Sequence, residues 1–243
     1  MIVALGAAIA GFVQGLTGFA FGLTALAFWA WVLDPRLAGP LVVLGSLLGN
    51  IFSLHRARSG FEMARITPLL VGGLVGVPIG VLMLRHLNAD AFKLGVGILL
   101  VVYCPIALVS HRVTAVARLG GGADVVAGVA SGVMSGLGGL GGSVSTLWCT
   151  LRGWDRDAVR ATFQSFNFAV QIVTLIAYIV AGVINAELLR VFAIVGPVLV
   201  IPAFIGGKVY GHFSDVMFRR LVLGVLTVSG VVLILNVAIP RLG

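Results

Sequence analysis

GVMSGLGGLGGS, residues 132 to 143, puts five glycines into the seven positions from Gly136 to Gly142. Each glycine inside a helix costs about 1 kcal/mol relative to alanine, so this run predicts an interrupted helix. Residues 11 to 22, GFVQGLTGFAFG, carry the same pattern 121 positions earlier: Gly11, Gly15 and Gly18 fall on Gly132, Gly136 and Gly139, and Asp34 falls on Asp155. A duplicated, charge-free, glycine-interrupted segment in an apolar chain points to a membrane protein built from two related halves, with a binding site at the interruptions.

The rest of the chain agrees with a membrane setting. Of 243 residues, 60% are hydrophobic and 10% charged, and the mean hydropathy is +1.15, too apolar for a soluble globule. Eight stretches lack Asp, Glu, Lys and Arg: 1 to 33, 37 to 54, 66 to 84, 94 to 111, 125 to 151, 161 to 186, 191 to 207 and 221 to 240. Each is about long enough to cross or deeply enter a hydrocarbon core of roughly 30 Å. The connections are short, so no nucleotide-driven motor domain fits between them, and transport by this chain would be secondary or passive. The first charge is Asp34, so the basic flank of a cleaved signal peptide is missing and the opening segment is expected to stay.

The net charge of +8 resides in the connections, where it sets orientation and meets lipid headgroups rather than nucleic acid. If all eight stretches cross, seven Lys and Arg residues face nine. If the two glycine segments dip in and return, eleven of the sixteen gather on one side and five on the other, a clear positive-inside bias. The expected fold is therefore an all-α polytopic membrane protein with eight hydrophobic segments in two homologous halves, 1–120 and 121–243. Each half holds one broken or re-entrant glycine segment and three transmembrane helices, and re-entry would make the halves inverted repeats. The repeat extends to Ser46 and Asn50 on Asn167 and Gln171; later the offset becomes 126, pairing Gly80 with Gly206 and His86 with His212.

Two readings of the glycines stand side by side. In a continuous helix, Gly11, Gly15, Gly18 and Gly22 line a smooth face for close packing. In a broken one, they expose backbone amides and a helix N-terminus toward an anion. The candidate anion-binding set is Gln14, Gly15, Thr17, Gly18, Ser135, Gly136, Gly138, Gly139, Gly141, Gly142 and Ser143 at the breaks. Ser46, Asn50, Gln164, Asn167 and Gln171 recur at helical spacing along the second helix of each half. They either wall a cavity or hold helices together by hydrogen bonds.

Arg36, Arg156 and Arg160 lie near the exits of the glycine segments, as attractors of anions at a cavity mouth or as anchors of helix ends. His86 and His212 are either titrating groups for proton coupling or interfacial residues. No carboxylate pair, Ser/His/Asp set, HExxH or nucleotide motif occurs, so neither an enzyme nor a cofactor is indicated. Cys104 and Cys149 lack metal-ligand spacing and read as packing residues.

Taken together, GFVQGLTGFAFG, the run GVASGVMSGLGGLGGS at 128–143 and WDRDAVRATFQSFN at 154–167 resemble the TauE/SafE sulfite-exporter family, the TSUP permeases, over essentially the whole chain. The resemblance implies a multi-pass permease of a bacterial inner membrane. It would carry small sulfur-containing or organic anions, such as sulfite or sulfonates, without ATP. A coupling proton or cation and a homo-oligomer are left open, and a passive channel for small anions, water or neutral solutes is the alternative reading. Ala20 and Phe21 stand opposite Gly141 and Gly142, so the second half is expected to supply more of the anion contacts.

Overall fold

A left-handed glycine ends the first helix of each half. Gly18 has φ 83° and Gly139 φ 69°, backbone conformations that glycine adopts without the steric cost other residues meet. The computed structural model describes residues 1–54, 62–109, 119–209 and 215–238, and ten α-helices make up the ordered elements among them. The first half contains α1 (Ile2–Thr17), α2 (Phe21–Trp29), α3 (Pro35–Leu54), α4 (Met63–His86) and α5 (Ala89–Val109). The second contains α6 (Gly121–Gly138), α7 (Gly141–Leu151), α8 (Arg156–Val180), α9 (Ala186–Val209) and α10 (Asp215–Ala238).

Each glycine segment folds back on itself. At the far end of α2, Trp29 Nε1 donates to Val3 O at the start of α1, 3.0 Å away. In the second segment, Trp148 Nε1 and Arg152 Nη2 on α7 and just beyond it donate to Asp124 Oδ1 and Oδ2 near the start of α6, at 2.7 and 2.9 Å. The accepting residues, Val3 and Asp124, are 121 positions apart. The arms of the first hairpin have 16 and 9 residues, about 24 and 14 Å at 1.5 Å per residue. Those of the second have 18 and 11, about 27 and 16 Å. The second arm of each hairpin is far too short to cross a core of roughly 30 Å.

The hairpin bases lie at opposite ends of α4. At its C-terminal end, Arg36 Nη2 donates to Arg85 O at 2.9 Å, which ties that end to the start of α3, six residues past Trp29. At its N-terminal end, the Arg65 guanidinium lies 5.2 Å from the Trp154 ring centroid, and Arg152 stacks on the same ring at 5.6 Å. Between them, the 24 residues of α4 run about 36 Å.

Close helix packing carries the frame. The glycines of α4 and α6 interlock: a Cβ at Gly72, Gly76 or Gly80 would strike the carbonyl oxygens of Val125, Val129 and Val133, and one at Gly128 or Gly132 would strike those of Leu69 and Gly73. Helix α1 meets α9 in the same way, with Gly15 against Ala203 O and Gly206 against Phe12 O. In lipid, where apolar side chains gain little from leaving hydrocarbon, such backbone approach is what associates helices. The outer faces remain apolar: Val71, Leu74 and Ile79 on α4, Ile194 and Ile201 on α9, and Val225 and Val228 on α10 are exposed. Four described helices, Met63–His86, Ala89–Leu108, Asp157–Val180 and Ala186–Lys208, are long and apolar enough to cross a membrane. The protein is all-helical among its described residues, in keeping with a polytopic membrane protein.

Candidate functional site at the helix breaks

The tips of the two hairpins touch. A Cβ on Gly22, at the start of α2, would stand 2.8 Å from Gly139 O, and one on Gly142, at the start of α7, would stand 3.5 Å from Phe19 O. Neither N-terminus carries a side-chain cap from its own N-cap residue, although the first amides of a helix have no intrahelical acceptor. At the first tip, side chains fill part of that need. Gln14 Oε1 accepts from Phe21 N at 3.0 Å, and Thr17 Oγ1 accepts from Phe19 N and Ala20 N at 3.4 and 3.2 Å. At the second tip, the position matching Gln14 is Ser135, whose hydroxyl pairs with Thr174 at 3.0 Å instead. The start of α7 at Gly141 and Gly142 thus lacks the side-chain acceptor that Gln14 gives the start of α2.

Helix α8 lays one polar face across both tips. Asn167 lies beside Gly142, where a Cβ would be 3.1 Å from Nδ2, and its Oδ1 accepts from Ser145 Oγ at 2.9 Å. Gln171 Oε1 accepts from Asn50 Nδ2 at 2.8 Å, and Asn50 Oδ1 accepts from Gln14 Nε2 at 3.0 Å. A chain of amides thus runs from α8 through α3 to the first tip. One turn earlier on α8, Gln164 stands against the left-handed break, with Nε2 2.7 Å from where a Gly18 Cβ would be. Gln164 is 1% exposed, and neither its Nε2 nor its Oε1 has a hydrogen-bond partner. A buried amide unpaired at both ends is a costly exception.

The expected site residues therefore divide. Thr17, Gly18, Gly139, Gly141, Gly142, Asn167 and Gln164 lie at the breaks, and Gly138 adjoins them, with Phe92 Cε2 3.3 Å from a Cβ there. Gln14, Asn50 and Gln171 are engaged with one another. Gly15 and Gly136 are inside α1 and α6, where they serve the contacts with α9 and α4; Gly136 O also accepts from Tyr178 at 2.8 Å. Ser46 and Ser143 are buried on α3 and α7.

The charged candidates sit at the ends of the bundle. Arg36 is committed to Arg85 O, and Arg160 is half-buried in the first turns of α8. The side chain of Arg156, the first residue of α8, lies outside the described residues, as does His212; His86 is exposed at the end of α4. Sequence reasoning missed Ser145 and Thr174, although Thr174 is one turn beyond Gln171 on the face that also holds Asn167. It also missed the base cluster of Asp124, Trp148 and Arg152. Among the described residues Asp124 is the one charged side chain with 4% exposure or less, so no buried charge stands at the tips.

Buried polar residues gathered at the meeting of two helix breaks, in a protein sheathed with exposed apolar helices, fit a multi-pass membrane protein. The family model for the sulfite exporter TauE/SafE matches residues 3–233, nearly the whole chain, and the protein belongs to that family. No curated protein and no solved structure matches it.

Proposed function

We propose that the protein is a secondary carrier of small sulfur-containing or organic anions, with sulfite and sulfonates as its substrate class. The site is the junction of the two tips, and the observation that carries this reading is Gln164, buried and unpaired beside Gly18. An oxyanion there meets the amides of Gly141 and Gly142, the positive ends of α2 and α7, and the carboxamides of Gln164 and Asn167. Backbone amides and neutral side chains fit an anion that must also leave, since a fixed cation would hold it more tightly.

The two halves, 1–120 and 121–243, act as inverted repeats. Support comes from the hairpin bases at opposite ends of α4, the Asn50–Gln171 bond between repeat mates, and left-handed glycines at matching positions. Both hairpins are then re-entrant, and rocking of one half against the other exposes the junction to each side in turn. The end of the bundle rich in Arg faces the cytoplasm of a bacterial cell.

Counterflow in proteoliposomes preloaded with sulfite, a sulfonate, sulfate, a carboxylate or a neutral solute tests the reading. Saturable exchange of sulfite or sulfonates is expected. Flux that rises linearly with the gradient would indicate a channel, and no exchange by folded protein would overturn the substrate class.

A further inference from the structure

We infer that the junction selects a singly charged oxyanion that carries a hydrogen-bond donor of its own, such as a hydroxysulfonate or a protonated oxyacid. The inference rests on the carrier reading and narrows its substrate. Two observations lead to it.

The first is the chemistry left open by Gln164. A carboxamide offers two N–H donors on one side and a carbonyl acceptor on the other, and both ends are unpaired here. The absence of partners at both ends makes this independent of which end is nitrogen. Sulfonate or sulfite oxygens can satisfy only the N–H groups. The carbonyl oxygen needs an O–H or N–H from the ligand, or it stays orphaned and repels the anion's oxygens.

The second is the lack of buried charge at the tips. The single charged residue in the buried set, Asp124, is already paired with Arg152 at the base of the second hairpin. With helix ends and amides as the source of positive potential, the cost of desolvation decides the charge state. That cost rises with the square of the charge, so a dianion pays about four times what a monoanion does. A monoanion with its own proton donor satisfies both conditions.

A matched pair of monoanions tests this. The probes are 2-hydroxyethanesulfonate and propane-1-sulfonate, which have similar size and the same sulfonate but differ in the hydroxyl. Counterflow by the wild-type protein is expected to show an apparent KM roughly tenfold lower for the hydroxylated probe, the worth of one hydrogen bond in a buried site. In Gln164→Leu the difference should vanish, and in Gln164→Asn, which keeps both ends of the amide, part of it should survive. Circular dichroism and a monodisperse elution profile in detergent identify variants that remain folded. Equal KM values for the two probes in the wild-type protein, or a preference unchanged in folded Gln164→Leu, would overturn the inference while leaving the carrier reading intact. Loss of flux for both probes and for sulfite in the wild-type protein would instead overturn both.

Discussion

The two hairpin tips share a backbone and differ in what their polar groups do. Each ends its first helix on a left-handed glycine and restarts within a few residues, but the first tip is tied down by Gln14, where the second has Ser135. Gln14 spans from Phe21 N to Asn50, and Thr17 takes two more amides. In the second tip, Ser135 turns to Thr174, and the N-cap residue Leu140 gives the first turn of α7 no side-chain acceptor. The first tip is braced by side chains, and the second is held by its backbone.

The largest test of that contrast lies away from both tips. Gly76→Leu would drive a side chain into Val129 O at the α4–α6 contact, and backbone cannot retreat as a side chain can. Overpacking typically costs about 1–3 kcal/mol and more where backbone must shift, so loss of folded, monodisperse protein in detergent is expected. Next comes Gly139→Ala, which forces a Cβ into left-handed backbone at about 1–2 kcal/mol and against Val42. Thermal unfolding should show a clear drop, and transport should fall further than stability does. Gly138→Ala, in ordinary helical backbone and facing the Phe92 ring and the Leu26 side chain at 3.3 Å or more, should be tolerated, which separates the break from its neighbour.

A smaller effect separates the two tips. Gln14→Leu strips partners from Phe21 N and Asn50 Oδ1, and each orphaned buried group costs about 1–3 kcal/mol. A lower melting temperature is expected, whereas Ser135→Ala should cost less, because Thr174 still donates to Val170 O at 2.8 Å. If both variants melt alike, the tips do not differ in the way described.

The smallest concerns Asp155, the N-cap of α8. Its Oδ1 accepts from Ala158 N and Asp157 N at 2.9 and 3.1 Å. The bond from Ala158 N, ahead of the other causes, holds this exposed carboxyl below its usual range. Because the folded state prefers the ionised form, the contribution is present above the ordinary carboxylate pKa and is lost as pH falls through the lowered one. Asp155→Asn should flatten the acid limb of the melting profile slightly, and an unchanged acid limb would contradict the cap.

Much of this arrangement is legible in the residues. The glycine segments located both breaks to within a few residues, because only glycine makes a left-handed stop so cheaply. The glycine-dense second copy suggested wider unwinding than the structure has; α6 runs on to Gly138 and α7 resumes at Gly141, since a helix pinned by α4 carries glycines that a free helix would not. The same pattern could not separate Gly15 and Gly136, which pack helices, from Gly18 and Gly139, which end them. That depends on which neighbour sits opposite, and α9 and α4 are distant in sequence. Likewise Gln14, Asn50, Gln164 and Gln171 look equivalent as polar residues at helical spacing, and only contacts between remote helices show that three are paired and one is not.

That unpaired glutamine carries the account. The decisive measurement is sulfite counterflow by Gln164→Leu beside its melting temperature in substrate-free detergent. An apolar side chain of similar size should hold or raise the melting temperature, because two orphaned polar atoms disappear, while sulfite exchange continues with a raised apparent KM. A folded Gln164→Leu protein that exchanges sulfite as the wild type does would contradict a binding site at the hairpin tips.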